Sequence, residues 1–462
     1  MAPPIAVINV VGLTPSMLGK NTPNLTRLAD DGFSRPLQGV FPAVTTTAQS
    51  AMLTGKNADA HGIVGNGWYF KELAEVGFWK QNNALVEAEK VWDRLRIANP
   101  EFKVSNLFWW YNMYAKVDHS ITPRPHYLAD GSKIFDLYST PEGLHQKIEE
   151  KIGQFPFFNF WGPKAGIDSS RWIANAAIEE FKLNRPDLQL VYLPHLDYNL
   201  QRLGPHHPDI AQDIQAIDKI CGDLIEFYQS EGVEILVVSE YGICEVDTPV
   251  HINRILRENG YIKVRKTVDK THNFETLDCG ASAAFAVSDH QCAHIYLNDP
   301  TKQNEVKTLL HNTLGIAEVL DKKEQVKYYL NHARSGDLVA IADSRAWFTY
   351  YFWIDDKFAP DFARTVDIHR KPGYDPAELF IDPKIKMPGI KVASKLMKKK
   401  LGQRVLMDLI PLDASLVKGS HGRLEDNPME GPVLIGPKEF EFERYHMTDV
   451  FKLILSIAEA EY

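Results

Sequence analysis

Short runs of aliphatic and β-branched residues alternate, over the first half of the chain, with longer stretches whose apolar positions recur at helical spacing. The runs Ile5 to Val11, Lys103 to Phe108, Leu188 to Leu193 and Glu234 to Ser239 predict strands that are apolar on both faces, as in a parallel sheet covered by helices. Between them, Thr22-Pro23 reads as an N-cap followed by proline at the first helical position, opening a helix through Asp30. A second helix, from about Pro208 to Ser230, leads into the Glu234 strand. The pattern predicts an α/β protein with a mostly parallel sheet between helical layers.

From about Tyr261 to Met387 the periodicity becomes irregular, with short strands such as Ser282 to Val287 and His294 to Leu297 and an aromatic segment, Trp347 to Trp353. This predicts an inserted α+β cap domain, residues 261–387, in a core made of residues 1–260 and 388–462. The chain returns to the core through Gly419-Ser420-His421-Gly422 and a last helix near Thr448 to Ala458. A length of 462 residues suits that division, because single hydrophobic cores rarely grow far beyond roughly 250 to 300 residues.

Composition narrows the function classes. No run approaches the roughly 20 apolar residues of a membrane span, and MAPPIAVINVVGL lacks a basic n-region and a cleavage site, so it reads as a first strand and not as a signal peptide. Cys221, Cys244, Cys279 and Cys292 form no close pair, which suits a reducing cytoplasm and suggests neither a zinc knuckle nor a disulfide framework. A formal net charge of −9 argues against a general nucleic-acid binder. The basic stretch Lys391 to Arg404 is expected to be a solvated helix, with contact to an anionic membrane surface as the alternative. The sequence leaves the oligomeric state open.

The densest chemical signal is FPAVTTTAQSAMLTG, Phe41 to Gly55, followed by HGIVGN, His61 to Asn66. It places Thr45, Thr46 and Thr47 at the start of a helix, where free amides and the helix dipole favour an anion and a hydroxyl can attack phosphorus. The same run suits an ordinary helix start, and spacing alone leaves both readings open. Asp197 and Glu240 follow two of the strands, at the carboxyl edge where open α/β sheets build their sites.

The threonine run resembles the nucleophile segment of the type I phosphodiesterase/nucleotide pyrophosphatase family of the alkaline phosphatase superfamily, in which Pro-x-x-Thr precedes a helix ending in Thr-Gly, then His-Gly-Ile and a phosphate-binding Asn. The resemblance implies an alkaline-phosphatase-like core, Thr45 as nucleophile, Asn66 as the amide on a phosphoryl oxygen with Thr46 beside it, and two bridging metal ions, usually zinc. The chain departs from that metal pattern. Val11 stands where the family has the aspartate of an Asp-Gly pair, Asp197-x-x-x-Gln201 replaces Asp-x-x-x-His, Glu240-Tyr241 replaces Asp-His, and His421 alone matches outright. A carboxamide is a poor substitute for imidazole, so a conventional two-zinc site is not expected. What remains is a single divalent ion, zinc or manganese, on Asp197, Glu240 and His421, or no metal, with Glu240, Tyr241 and His421 as acid and base and Gln201 touching substrate.

Positive charge has one concentrated source, Thr365 to Asp375, where His369, Arg370 and Lys371 either neutralise a phosphate or form a solvated turn before Pro372-Gly373. Ser288-Asp289-His290 looks like the missing Asp-His pair but, lying in the cap, reads as surface polarity; His251 reads as a helix start, with approach to Glu240 as a base the alternative; and the Phe108 to Tyr114 aromatics read as core before pocket wall.

Three functions are compatible with these residues: hydrolysis or transfer of a phosphoryl group on a phosphorylated small molecule through Thr45; metal-free acid/base chemistry on a phosphate-anchored substrate; and non-catalytic binding of a phosphometabolite. Segments such as NVVGLTP, FWWYNMY and VDIHRKPGYDP are similar to a phosphodiesterase-like subgroup encoded beside a sugar-phosphate-cyclase-like enzyme and a prenyltransferase-like membrane protein. That likeness implies a cyclitol or isoprenoid phosphate over a nucleotide.

Overall fold

A computed structural model describes residues 2–269, 272–403 and 405–459. Its nine-stranded sheet runs, edge to edge, through Tyr445–His446, Phe33–Gln38, Val433–Gly436, Glu234–Val238, Ile5–Val10, Leu188–Leu193, Val104–Leu107, His119–Pro123 and Leu137–Thr140. The five strands from Glu234–Val238 to His119–Pro123 are mutually parallel. Ile5–Val10 sits in the middle, Ile5 level with both Leu188 and Glu234, and all six of its residues are buried. That is why its sequence is apolar without alternation.

The four predicted strands are present with ends one residue shorter, except Leu188–Leu193, which matches. The three predicted helices are present as Pro23–Asp31, Ile210–Ser230 and Asp449–Ile457. Thr22 occupies the N-cap position but does not cap; its hydroxyl donates to the Met17 carbonyl at 3.1 Å. Pro23, whose fixed φ suits the first turn, opens the helix without that bond.

A second, four-stranded antiparallel sheet is ordered Ala284–Asp289, Cys292–Leu297, Leu338–Ala342, Ile316–Asp321. It has its own apolar cluster, which also takes in Trp68, Trp79, Trp110 and Tyr374. The hairpin joining its first two strands turns at His290, with φ +58°, and points back at the carboxyl edge of the large sheet. Two layers therefore converge on one place: the ends of the parallel strands from one side and a hairpin tip from the other.

Candidate functional site

The helix Thr45–Thr54 begins where the chain leaves the large sheet, and every one of its residues is buried. Gly55 ends it in the left-handed region, φ +64°, against the Phe451 ring. Its first amides are served from a distance: the Thr46 N–H donates to Asn66 Oδ1 at 3.0 Å. The Thr46 and Thr47 hydroxyls donate to the Gly65 and Ile63 carbonyls. Thr45 alone of the three turns its hydroxyl to other side chains, with Oγ1 3.1 Å from the Tyr241 phenol oxygen.

That contact starts a chain. The Tyr241 hydroxyl stands 3.2 Å from Asp197 Oδ1 and donates to it, and Gln201 Nε2 donates to Asp197 Oδ2 at 2.7 Å. Asp197 and Gln201 share one face of the helix His195–Leu203 because they are four residues apart. Burial raises the Asp197 carboxyl to about 7, a rise that the Tyr241 and Gln201 hydrogen bonds limit. His421 lies flat on the Tyr241 ring, centroids 3.7 Å apart, with Nε2 3.9 Å from Asp197 Oδ1. Its Nδ1 meets the Ala43 carbonyl at 2.8 Å; a carbonyl only accepts, so the proton is on Nδ1 and the Nε2 lone pair faces Asp197. Burial lowers His421 to about 3, which keeps it neutral.

Glu240 lies beneath, fully buried. Its Oε1 accepts from Asn9 Nδ2 and from Gln49 Nε2, both at 2.7 Å. The Gln49 orientation is fixed, since its Oε1 accepts the Trp110 N–H at 2.7 Å. Desolvation raises Glu240 to about 8.

The opposite wall comes from the hairpin. Asp289 accepts the Asn66 backbone N–H at 2.7 Å and, at 3.2 Å each, the Asn66 amide and the Tyr374 hydroxyl. His290 packs on His421, centroids 3.9 Å apart, with Nε2 3.1 Å from the Tyr374 hydroxyl. The expectation that Asp289 and His290 are surface polarity is therefore corrected: both are buried and both face the site, because the tight turn folds the hairpin tip inward. No signal in the local sequence marks that turn as pointing in; the partner that receives it, Asn66, is more than 200 residues away.

Trp79, Trp110, Phe160, Trp161, Tyr198, Ile368 and Tyr374 complete the enclosure. Trp79 stacks obliquely on Trp110 at 4.6 Å and on Tyr374 at 5.4 Å. The space left among these groups, Thr45, Asn66, Asp197 and His421 is about 30 Å³, room for little more than water. Among the described residues lining it there is no lysine or arginine. Trp79 and Tyr111 carry φ of +54°, a conformation that costs on the order of 1 kcal/mol or more in a non-glycine residue and so marks positions held by their surroundings.

The predicted basic cluster is elsewhere. Lys371 is buried in an ion pair with Glu378 and also donates to the Thr365 carbonyl at 3.1 Å. Arg370 is exposed over the Tyr127 ring, and His369 is half-buried behind Trp110. From the Thr365 to Asp375 segment it is Ile368 and Tyr374 that line the cavity, not these three. His251 starts the helix Ile252–Glu258 and bonds Thr349 at 2.7 Å, away from Glu240.

The donors do not fit two bridging ions. Glu240 and Asp197 are held by amide N–H and phenol groups, and Val11 is packed into the core. Asp197 with His421 is a two-ligand remnant, short of the four that zinc takes. Among the described residues no group of three or more His, Cys, Asp or Glu side chains is arranged to hold a metal.

The sequence model of the type I phosphodiesterase/nucleotide pyrophosphatase family matches residues 5–375. The chain is similar to an uncharacterized pyrophosphatase/phosphodiesterase of Schizosaccharomyces pombe, 23% identical over 261 residues, covering 54% of this chain and 46% of that protein. It is also similar to human ectonucleotide pyrophosphatase/phosphodiesterase family member 7, 22% identical over 334 residues, 70% of this chain and 62% of that protein. The matches thus span 46% and 62% of these relatives' lengths. Among solved structures it is similar to phosphonoacetate hydrolase from Sinorhizobium meliloti in complex with phosphonoformate, TM-score 0.62 at 14% identity, covering 99% of this chain and 96% of that one. Murine ectonucleotide pyrophosphatase/phosphodiesterase 5 gives 0.59 at 16% identity over 99% and 95%. These likenesses establish the fold.

Proposed function

The chain belongs to the type I phosphodiesterase/nucleotide pyrophosphatase family of the alkaline phosphatase superfamily, and from that premise we propose that it cleaves or transfers the phosphoryl group of a phosphorylated small molecule with Thr45 as nucleophile. The observation that carries the reading is the hydrogen-bonded chain from Thr45 Oγ1 through the Tyr241 hydroxyl to Asp197 Oδ1. In the reading, the Thr45 proton passes through Tyr241 to ionised Asp197 as Oγ1 bonds to phosphorus. The departing oxygen leaves on the opposite side and takes a proton from water, and the hydroxide so formed attacks phosphorus to release Thr45, whose oxygen regains its proton from Asp197 through Tyr241. A carboxyl near 7 suits both directions. Asn66 and Tyr374, which line the cavity, are the donors assigned to the phosphoryl oxygens, with the Asn66 amide exchanging its bond to the Tyr374 hydroxyl for one to substrate.

No step in this scheme goes through a metal ion, since the donor set does not fit a bridging pair. A cavity without lysine or arginine favours a singly charged phosphodiester over a dianionic monoester, because a second buried charge has no partner. The cavity as it stands is too small for a phosphodiester, so the aromatic wall must part to admit one; its chemistry favours an apolar or ring-shaped substituent, of which a cyclitol or isoprenoid phosphate is an instance. A second reading, proton transfer elsewhere on a phosphate-anchored substrate, rests on Asp197 at about 7 beside the His421 lone pair.

The test is acid-quenched turnover of a generic aryl phosphodiester followed by peptide mass analysis. The reading expects a phosphoryl adduct on the peptide bearing Thr45, absent from Thr45→Ala. Turnover with an unmodified Thr45 would overturn the covalent step, and no cleavage at all would leave the proton-transfer reading in its place.

A further inference from the structure

The helix Pro388–Lys400 is inverted relative to an ordinary surface helix. Its protein-facing side is Pro388, Lys391, Val392 and Lys395, with both lysines paired to Asp408. Its outer side carries Ile390 and Met397, 59% and 60% exposed, and the stripe continues to Leu401 at 71%. None of its residues is buried. A helix held only by packing would turn these apolar side chains inward; here two lysines lie on the inner side beside Val392 and the apolar stripe faces out.

Around that stripe the charge is one-sided. Seven lysines and Arg404 lie between Asp382 and Asp408, with no acidic residue, in a chain of net charge −9. Arg404 lies outside the described residues. Lys398, Lys399 and Lys400 are exposed at the helix end, beside Met397 and Leu401. An apolar stripe flanked by lysines matches the boundary of an anionic bilayer, where acyl chains take the first and headgroups the second. Nucleic acids complement the lysines but offer no apolar depth to Ile390, Met397 and Leu401.

The helix is carried on an arm rooted in the cavity wall. Its base is closed by Asp382 N–H to the Leu409 carbonyl at 2.8 Å and Ile410 N–H to the Arg364 carbonyl at 3.1 Å. Residues 365–380, which lead into it, contribute Ile368 and Tyr374 to the enclosure. We propose that the Pro388–Lys400 helix docks the protein on an anionic lipid bilayer through Ile390, Met397 and Leu401 together with Lys398, Lys399 and Lys400. This replaces the expectation of a merely solvated helix, and it stands apart from the chemistry assigned to Thr45. Among the described residues no helix is long and apolar enough to cross a membrane, so the contact is interfacial.

The test is flotation of the full chain with vesicles of phosphatidylcholine containing about 30 mol% phosphatidylserine, against pure phosphatidylcholine, at about 0.1 M and about 0.5 M salt. The expected result is partitioning roughly tenfold or more stronger onto the anionic vesicles, lost at high salt. It is also lost in two variants read separately: Ile390→Ser/Met397→Ser/Leu401→Ser and Lys398→Glu/Lys399→Glu/Lys400→Glu. These side chains are exposed, so both variants keep the fold, and no turnover is read. Absence of vesicle binding would overturn the proposal. So would a self-association or an RNA-oligonucleotide binding that the lysine variant abolishes while vesicles are ignored.

Discussion

Asp197 and Glu180 are carboxyls that burial pushes in the same direction, one in the site and one away from it. Asp197 acts as base only when ionised, so kcat/KM is expected to rise about tenfold per pH unit up to about 7 and then level off; Asp197→Asn should flatten the profile at a much lower rate. Glu180, fully buried and raised by desolvation to about 7, titrates for stability with the opposite sign. Below its unfolded value near 4.5 both states hold the proton; between there and 7 only the folded state does, so stability falls as pH rises across that window. Glu180→Gln should flatten the slope between about pH 4.5 and 7, read from denaturant midpoints. Thr45, Tyr241, Asp197 and His421 were legible because each follows a strand or starts a helix in a recognisable motif. Asp289 was not, since its role depends on a turn that brings it to Asn66, and Lys371 misled because sequence does not show that Glu378 neutralises it.

The elements that enclose the site are tied by a few buried polar contacts. Glu378 joins Lys371 and accepts from Trp161 Nε1 at 3.1 Å, while Arg202 donates to the Gly162, Ala165 and Leu379 carbonyls. These bonds hold the Phe160–Trp161 loop and the Pro376–Leu379 turn together over the cavity. Truncating Glu378 strands a buried ammonium, so Glu378→Ala should cost about 3 to 5 kcal/mol in chemical denaturation. If the variant folds at low temperature, its Trp161 wall is released and KM should change more than kcat. The strands of the large sheet were readable from continuous apolar runs, whereas this wall was not. Trp79, Trp161 and Tyr374 come from three stretches far apart in the chain, and only tertiary packing sets them around one space.

At the scale of the molecule, the large sheet presents Thr45, Asp197 and Tyr241 at its carboxyl edge, His421 follows the short strand Gly419–Ser420 paired with Cys244–Glu245, and the antiparallel sheet closes them with Asp289 and His290. The fold class followed from strand and helix periodicity, and the family from the threonine run. The inward hairpin and the outward apolar stripe of Pro388–Lys400 are properties of orientation, which periodicity leaves undetermined. The central claim is that hydrogen bonds among Thr45, Tyr241 and Asp197 do the work that bridging metals do elsewhere in the family. Its most direct measurement is steady-state cleavage of an aryl phosphodiester by protein dialysed exhaustively against chelator, compared with Thr45→Ala and Tyr241→Phe. The account predicts undiminished wild-type turnover, a loss of about a thousandfold or more in Thr45→Ala, and a loss of about ten- to a hundredfold in Tyr241→Phe. Turnover abolished by chelator and restored by zinc or manganese, with Tyr241→Phe as active as wild type, would contradict it.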